Sequence, residues 1–389
     1  MSGPKGVAGR ASEDRRESPD ELGELLTLIC QTPAPTFEEG ERGRLIARLF
    51  RDTGLEPHVD VVGNVVASVP GGRGPRVLLA AHLDTVFAAD VDVSVKVDGQ
   101  RWRAPGVGDN SASLAVLVYL LRNLLRRDGR GGRGSKAQMP RLTVAATVGE
   151  EGLGDLRGAR ALLDAHAGEF DLVVAVDGHL GTIVDAAVGS KRYEVRLQAQ
   201  GGHSWGDFPA PSATHALGAM VASLEGLKVT RQPRSTYNVG QVWGGTGVNA
   251  IAQEAGFNLD LRSIDASTLE ELESDALAKL RRVAKRHRVE IALEKVGERP
   301  AATVANEVLV GHARDALAAV GVDARTAASS TDANIAMAAG IPAIAFGVYR
   351  GGDAHRMGEW LERPSLNRGY EALLDLLVRL AKGSGPKQE

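Results

Sequence analysis

Two adjacent carboxylates, Glu150 and Glu151, constrain this chain more than any other feature of its sequence. They follow the apolar segment 141–146, which predicts a buried strand, and they precede a helix predicted over 155–166. Unpaired buried charge is strongly unfavourable, so two acidic side chains at the end of a buried strand need a partner. Neighbouring side chains at a strand end point in different directions, so one carboxylate can bind a metal ion while the other contacts a water beside it. Taken alone, the pair is equally explained by acidic residues that complement a helix N-terminus.

Other predicted strands are also followed by residues of types that can bind metals. The apolar runs 77–81 and 172–176 predict central parallel strands, and His82 and Asp177 follow them directly. Asp109 comes after a loop and just before a long amphipathic helix predicted over 111–126. Ligands of open α/β sheets bind at the carboxyl ends of the strands, where these side chains would meet. Each has a simpler interpretation alone: a buried histidine for His82, a helix N-cap for Asp109 and a turn for Asp177.

Composition excludes several classes of protein. The chain has 389 residues, more than one compact core usually supports, which predicts two domains. Its formal net charge of -3, with both signs mixed, argues against nucleic acid or a membrane surface as the main partner. The only cysteine, Cys30, lies in an apolar run and is expected to be a small buried hydrophobe.

Residues 1–19 predict a disordered lead-in with neither signal peptide nor membrane anchor, so we expect a cytoplasmic protein. The Gly- and Arg-rich segment 128–135 predicts a solvated, mobile loop.

The pattern of elements changes near residue 188. Residues 192–296 predict the order β-α-β-β-α-β with alternating polar strands, which is typical of a ferredoxin-like α+β sandwich. We therefore predict an α/β domain with a three-layer α/β/α arrangement over 20–187 and 302–389, into which residues 188–301 are inserted. This inserted part is called the lid segment below.

Six motifs in this order resemble the co-catalytic dinuclear zinc exopeptidase and amidohydrolase family of peptidase T, carboxypeptidase G and aminoacylase. The resemblance extends from about residue 20 to the end of the chain. Its motifs are His82-Leu83-Asp84-Thr85, Gly106-Val107-Gly108-Asp109-Asn110, Glu150-Glu151-Gly152, Val176-Asp177-Gly178, Gly201-Gly202-His203 and the late His355. The resemblance implies a zinc-exopeptidase-like catalytic domain that carries a lid and dimerisation domain.

Carried over to this sequence, the resemblance implies two Zn²⁺ ions per subunit, with Co²⁺ or Mn²⁺ as possible substitutes. The implied ligands are His82 and Asp177 for one ion, Glu151 and His355 for the other, and Asp109 as a bridge between them. Asp84 would orient the imidazole of His82 through its other ring nitrogen. Glu150 would act as the general base on a metal-bridging water or hydroxide. The family also implies a cis peptide bond at Asp109–Asn110.

The lid segment contributes three further candidates through the resemblance. His203 would reach the active site of the partner subunit in a homodimer and stabilise the oxyanion. Asn249 and Arg262 would bind the polar or carboxylate end of the substrate, although a turn residue and a strand-end ion pair explain them equally well. Trp205 and Phe208, which follow His203, would line an apolar pocket or pack at the dimer interface.

The expected function is that of a metallopeptidase acting on short peptides, of aminopeptidase, dipeptidase or tripeptidase type. Asp177 with the following Gly178 favours this reading, because it is more similar to peptidase T and the dipeptidases. Two alternatives remain open: an N-acyl-amino-acid amidohydrolase or carboxypeptidase, and a non-catalytic binding protein on the same fold. The last alternative predicts the loss of a ligand or of the base, and none is missing from this sequence.

Overall fold

The computed structural model describes residues 20–125 and 138–382. The lead-in predicted over 1–19 and the loop predicted over 128–135 lie outside these residues. Among the described residues, no helix is long and apolar enough to cross a bilayer.

The two described ranges contain nineteen strands and nine α-helices. The strands are β1 (His58–Val59), β2 (Val65–Ser68), β3 (Arg76–His82), β4 (Lys96–Asp98), β5 (Arg101–Arg103), β6 (Arg141–Thr147), β7 (Leu172–Val176), β8 (Thr182–Ala187), β9 (Gly189–Gln198), β10 (Gly202–His203), β11 (Ser235–Gly244), β12 (Ala250–Ile251), β13 (Glu254–Ser263), β14 (Glu290–Arg299), β15 (Ala302–Thr303), β16 (Arg325–Ser329), β17 (Ala343–Phe346), β18 (Gly351–Gly352) and β19 (Trp360–Glu362). The helices are α1 (Glu21–Cys30), α2 (Gly40–Asp52), α3 (Ser111–Leu125), α4 (Arg157–Ala165), α5 (Ala213–Leu224), α6 (Ala266–His287), α7 (Glu307–Ala319), α8 (Ala333–Ala338) and α9 (Arg363–Lys382).

A mixed sheet of nine strands forms the centre of the molecule. Its order is β1-β2-β6-β3-β7-β17-β8-β15, with β16 paired to β8. Strands β3, β6, β7 and β17 run parallel to one another, and their continuous apolar sequences are buried, as parallel strands covered on both faces require. One apolar core includes residues of α1, α2, α3, α7 and α9, and a second includes residues of α4 and α8. This arrangement confirms the predicted α/β class.

Three strands of this sheet, β2, β8 and β16, run against the central ones. Strand β8 is antiparallel to β17, and β16 is parallel to β8. The amino ends of β8 and β16 therefore lie at the edge where β3, β6, β7 and β17 end. Because of this reversal, residues that begin β8 and β16 share an edge with the strand-end ligands, which the sequence pattern did not predict.

The lid segment contains a four-stranded antiparallel sheet with the order β11-β13-β9-β14. Helices α5 and α6 pack on this sheet through a separate apolar core that includes Phe257, Met220 and Leu280. The chain order β-α-β-β-α-β with this strand order is the ferredoxin-like topology expected from the sequence. Beside it, β10 and β12 form a two-stranded ribbon.

A second small sheet was not predicted. Strands β4 and β5, near residue 100, join β18 and β19, near residue 355, in the order β18-β19-β5-β4. No local pattern indicates this pairing, because β18 and β19 lie more than 240 residues after β4 and β5 in the chain. This sheet holds the loop that carries His355.

Candidate metal centre and active site

Five predicted ligands lie together at the carboxyl edge of the central sheet. His82 ends β3, Glu151 follows β6 and Asp177 follows β7, while Asp109 precedes α3 and His355 lies between β18 and β19. Their ligand atoms form two groups that share Asp109, each with all atoms within 4.8 Å: His82–Asp109–Asp177 and Asp109–Glu151–His355. A third group of the same size contains His82, Glu150 and Glu151. The structure thus assembles the residues that the resemblance assigned to two ions.

Asp109 lies between the two imidazoles. Its Oδ1 is 3.1 Å from Nε2 of His82, and its Oδ2 is 3.1 Å from Nε2 of His355. The Oδ1 atom is buried and lies outside hydrogen-bonding geometry, although a ring nitrogen is so close. A carboxylate oxygen and a ring nitrogen that lie this close without forming a hydrogen bond are suitably placed to bind one metal ion together. The Asp109–Asn110 peptide bond is cis.

The carboxylate of Asp84 holds the backbone of the glutamate pair. Its Oδ1 accepts a hydrogen bond from the backbone N–H of Glu150, and its Oδ2 accepts one from Glu151, both at 2.9 Å. Nδ1 of His82 lies 3.0 Å from the backbone carbonyl oxygen of Asp84 and 3.6 Å from its carboxylate. The expected contact with the imidazole is therefore made by the backbone carbonyl, while the carboxylate fixes the backbone of Glu150 and Glu151.

A buried carboxylate that we did not predict supports the loop of Asp109. Glu359 is only 1% exposed, and it accepts hydrogen bonds from the backbone N–H groups of Gly106, Gly108 and Asp109 at 2.8–3.0 Å. It lies four residues after His355, so one short segment carries one predicted ligand and fixes the backbone of another, Asp109.

The buried carboxylates of the centre repel one another, and added positive charge would stabilise them. Burial, with the neighbouring Glu151 and Asp177, raises the pKa of Glu150 well above its usual value. Burial and the charge of Asp109 raise the pKa of Asp177 to about 7. At Asp84 burial raises the pKa, but the nearby imidazole of His82 and hydrogen bonds from the two backbone N–H groups outweigh it and lower the pKa to about 2. Clustered buried carboxylates of this kind are stabilised when divalent cations neutralise them.

The donor set fits metal ions. It contains two imidazoles and three carboxylates without a thiolate, a combination that suits zinc, with manganese or cobalt as substitutes. His82, Asp109 and Asp177 would hold one ion, and Asp109, Glu151 and His355 the other.

A cavity of about 620 Å³ opens onto this centre, and arginines line its walls. Arg299, only 4% exposed, donates hydrogen bonds to the backbone carbonyls of Glu150 and Gly152 and lies 3.5 Å from Oε1 of Glu150. Arg192 and Arg262, on neighbouring strands of the lid segment, both contact Asp260. Arg325 lines the cavity from the first position of β16.

The family model described as Peptidase family M20/M25/M40 matches residues 78–379 of this chain. The chain belongs to this family. The match confirms the resemblance drawn from the six motifs, and it covers the central sheet from β3 onward together with the lid segment.

Individual relatives match only part of this chain, or match most of it at low sequence identity. Acetylornithine deacetylase from Shigella sonnei is 28% identical over 267 residues, which are 60% of this chain and 64% of that protein. The chain spans 28–64% of the length of the curated relatives considered. A tripeptidase from Staphylococcus aureus superposes with a TM-score of 0.78 at 22% identity, covering 93% of this chain and 98% of that one. A dinuclear metal binding peptidase from Bacillus subtilis superposes with a TM-score of 0.66 at 17% identity, covering 93% and 98% of the two chains. At these identities the structural likeness shows the M20 fold alone.

The three lid candidates differ in position. Arg262 lines the cavity. His203 and Asn249 are exposed and are absent from the described lining of this cavity. Nδ1 of His203 instead accepts hydrogen bonds from the backbone N–H groups of Trp205 and Gly206, and Trp205 and Phe208 are largely exposed.

Several residues near the M20 centre were not predicted as functional. They are Arg192, Arg299, Arg325, Tyr349 and Glu359, which lie in or beside the cavity. Arg299 ends β14 and Tyr349 follows β17, so their position at element ends was a usable signal.

Asp332 occupies the N-cap position of α8 without a capping hydrogen bond, and it accepts one from Oγ1 of Thr147 at 2.5 Å.

Proposed function

We propose that this protein is a dinuclear-metal exopeptidase that hydrolyses the amide bond of short peptides, as an aminopeptidase, dipeptidase or tripeptidase. The observation that supports this most is the pair of ligand groups sharing Asp109, with Glu150 in a third group that contains one member of each, His82 and Glu151. Short substrates fit the limited volume of the cavity beside these groups.

The bound ions, which we propose to be zinc, would polarise the scissile carbonyl and lower the pKa of the attacking water. Glu150 is the general base: a carboxylate oxygen accepts a proton from the water and passes it to the leaving amine nitrogen. The oxygen of the deprotonated water forms a bond to the carbonyl carbon, and the carbon–nitrogen bond breaks as the nitrogen receives the proton from Glu150. Asp84 fixes the backbone of Glu150 and Glu151 by accepting hydrogen bonds from their N–H groups. Arg299 fixes the same turn by donating hydrogen bonds to the backbone carbonyls of Glu150 and Gly152.

The arginines favour a substrate with a free carboxylate. Arg192 and Arg262 share Asp260, so one carboxylate offsets only part of the charge of two guanidinium groups. Arg262 would hold the terminal carboxylate through a bidentate fork. This positions the substrate between the lid segment and the strand-end ligands.

We further propose that the protein acts as a homodimer. His203 and Asn249 are exposed in one chain, so they would contact substrate at the site of a partner subunit, with His203 stabilising the oxyanion. The exposed Trp205 and Phe208 next to His203 would become buried in such an arrangement.

A deacylase acting on N-acyl amino acids is the second candidate. It is supported by the 28% identity to acetylornithine deacetylase over 60% of this chain. Both candidates use the same centre and the same carboxylate contacts, and they differ in what lies on the acyl side of the scissile amide.

One experiment tests both candidates. Metal content is measured by elemental analysis before and after chelation, and turnover of dipeptides, tripeptides and N-acetyl amino acids is measured at each stage. We expect about two ions per chain, loss of activity on chelation and recovery with zinc or cobalt. Turnover of only the acylated amino acids would replace the peptidase by the deacylase, and a metal-free, inactive protein would contradict both.

A further inference from the structure

Arg325 lies at the ligand edge of the central sheet because β16 runs against the central parallel strands. It is the first residue of β16 and pairs in register with Thr182, the first residue of β8. Its Nε donates a hydrogen bond to Oγ1 of Thr182 at 3.1 Å. The loop from Asp177 to Thr182 carries a proposed ligand at one end and the contact of Arg325 at the other. Arg325, His179 and Thr182 therefore form one wall of the cavity beside the metal centre.

Arg325 has no acidic partner in the part of the chain that the structure describes. Among the described residues, no carboxylate lies within ion-pair distance of its guanidinium group, and its side-chain hydrogen bond is made to a neutral hydroxyl. The only carboxylates that line the cavity in the described residues are Asp109, Glu150, Glu151 and Asp177, all at the proposed metal centre.

The lid arginines form a different wall. Arg192 and Arg262 lie on β9 and β13 and share Asp260, which leaves about one uncompensated positive charge there for the terminal carboxylate of a substrate. Arg325 lies on the central sheet and, unlike Arg299, which is paired with Glu150, adds a second uncompensated positive charge. Two separate positive positions beside one scissile site match a substrate with two carboxylates.

Resting on the proposed function, we propose that Arg325, with Thr182, forms a subsite for an acidic side chain next to the scissile amide. The preferred substrates then carry Asp or Glu beside the bond that is cleaved, in addition to the terminal carboxylate. A guanidinium group recognises a carboxylate through two parallel hydrogen bonds, and Thr182 keeps its Nε oriented.

The test compares substrates that differ only in charge. The dipeptides Ala-Glu and Ala-Gln, Glu-Ala and Gln-Ala, and the pair N-acetyl-Glu and N-acetyl-Gln have nearly equal shapes. For the metal-loaded protein we expect kcat/KM to favour the acidic member of at least one pair by about tenfold, as a charge-assisted contact in a partly enclosed cavity predicts. The pair that shows the preference identifies the side of the amide on which the subsite lies.

Variants assign the preference to Arg325. We expect Arg325→Gln to remove the preference, Arg325→Lys to keep part of it, and Arg325→Asp to favour Ala-Lys or Lys-Ala over the acidic peptide. Arg281→Asp is the matched control, because Arg281 is exposed on α6 outside this cavity. It makes the same change of charge and should leave the preference unchanged.

Binding separates this inference from the proposed function. The same pairs are titrated calorimetrically into metal-loaded Glu150→Gln, which compares affinities without turnover. Tighter binding of the acidic member, lost in Glu150→Gln/Arg325→Gln, supports the subsite even if the wild type hydrolyses none of these compounds. Equal affinities and equal kcat/KM within every pair would overturn the subsite while leaving the hydrolase intact.

Discussion

The strand-end ligands and the lid candidates were predicted from the same resemblance, but the structure positions them very differently. The ligand atoms of His82, Asp109 and Asp177 lie within 4.8 Å of one another, and the side chain of His82 is almost fully buried. His203 and Asn249 are exposed on the ribbon and loop beside the lid sheet. A single chain therefore assembles the proposed metal centre, whereas the lid contacts need a second subunit or a movement of the lid segment.

The supporting contacts differ in the same way. The ligand edge is held by buried carboxylates, Asp84 and Glu359, which accept backbone hydrogen bonds. The lid segment contains exposed ion pairs, such as that between Arg196 and Glu294. Loss of a buried, hydrogen-bonded carboxylate is costly, while exposed pairs contribute little each. Mutations at the ligand edge should thus affect chemistry and metal binding, whereas mutation of an exposed ion pair in the lid should change the stability only slightly.

The largest expected effect is on turnover at Glu150. We expect Glu150→Gln to lower kcat by about 10²- to 10⁴-fold, since it removes the general base. Metal content should remain close to that of the wild type, because both ligand groups that share Asp109 are intact. Steady-state kinetics and elemental analysis check this, with the exposed Glu270→Gln as the control. Near-normal turnover would remove Glu150 from the role of base.

A dimer test addresses the lid side of the comparison. We expect His203→Ala to lower kcat by about 10²-fold, since it removes an oxyanion donor. Co-expression of His203→Ala with Glu150→Gln, each with its own tag, should restore about one quarter of the wild-type activity, because half of the dimers regain one complete site. His215→Ala, another exposed lid histidine, is the matched single variant. Absence of recovery in a demonstrated mixed dimer would show that His203 does not act across subunits.

The support by Glu359 should appear in metal affinity. We expect Glu359→Gln to weaken metal binding by about 10- to 100-fold. The carboxylate accepts hydrogen bonds from three backbone N–H groups, and the amide NH₂ of the variant would face one of these donors without being able to accept its hydrogen bond. Competition with a chelating dye measures this, and circular dichroism reports the fold. Asp265→Asn, which alters the N-cap of α6 in the lid segment, is the control for lost stability. Equal metal affinity in the two variants would reduce Glu359 to a packing role.

The smallest effect concerns the stability of the lid segment below neutral pH. Burial raises the pKa of Glu273, but hydrogen bonds from Lys191, Tyr193 and Lys295 outweigh it and lower the pKa from 4.5 to about 2. A carboxylate with a lowered folded-state pKa stabilises the fold above its unfolded pKa, and this contribution is lost as pH falls from about 4.5 toward 2.

We therefore expect Glu273→Gln to lower the free energy of unfolding by about 1–2 kcal/mol at pH 7, after discounting for partial exposure, and by less at pH 3.5. Urea unfolding of both proteins at the two pH values measures the difference. The same deficit at both pH values would mean that the charge of Glu273 does not contribute.

The sequence alone determined the ligand edge. Each predicted ligand from His82 to Asp177 follows or adjoins a recognisable apolar strand or a helix start, and parallel strands bring their carboxyl ends to one edge. The same local patterns predicted the ferredoxin-like order of the lid segment, because its strands alternate and its helices have regular apolar spacing. These features depend on short-range patterns, which the sequence displays directly.

Only the tertiary structure decided which residues surround that edge. Glu359 bonds to a loop about 250 residues earlier in the chain, and Arg299 contacts Glu150 across 149 residues. Arg325 joins the cavity because β16 runs against the central strands, a direction that no local pattern specifies. The physical reason is the same in each case. Hydrogen bonds and charge contacts between distant segments depend on how whole strands pair and pack, whereas a strand end and its ligand are fixed within a few residues of chain.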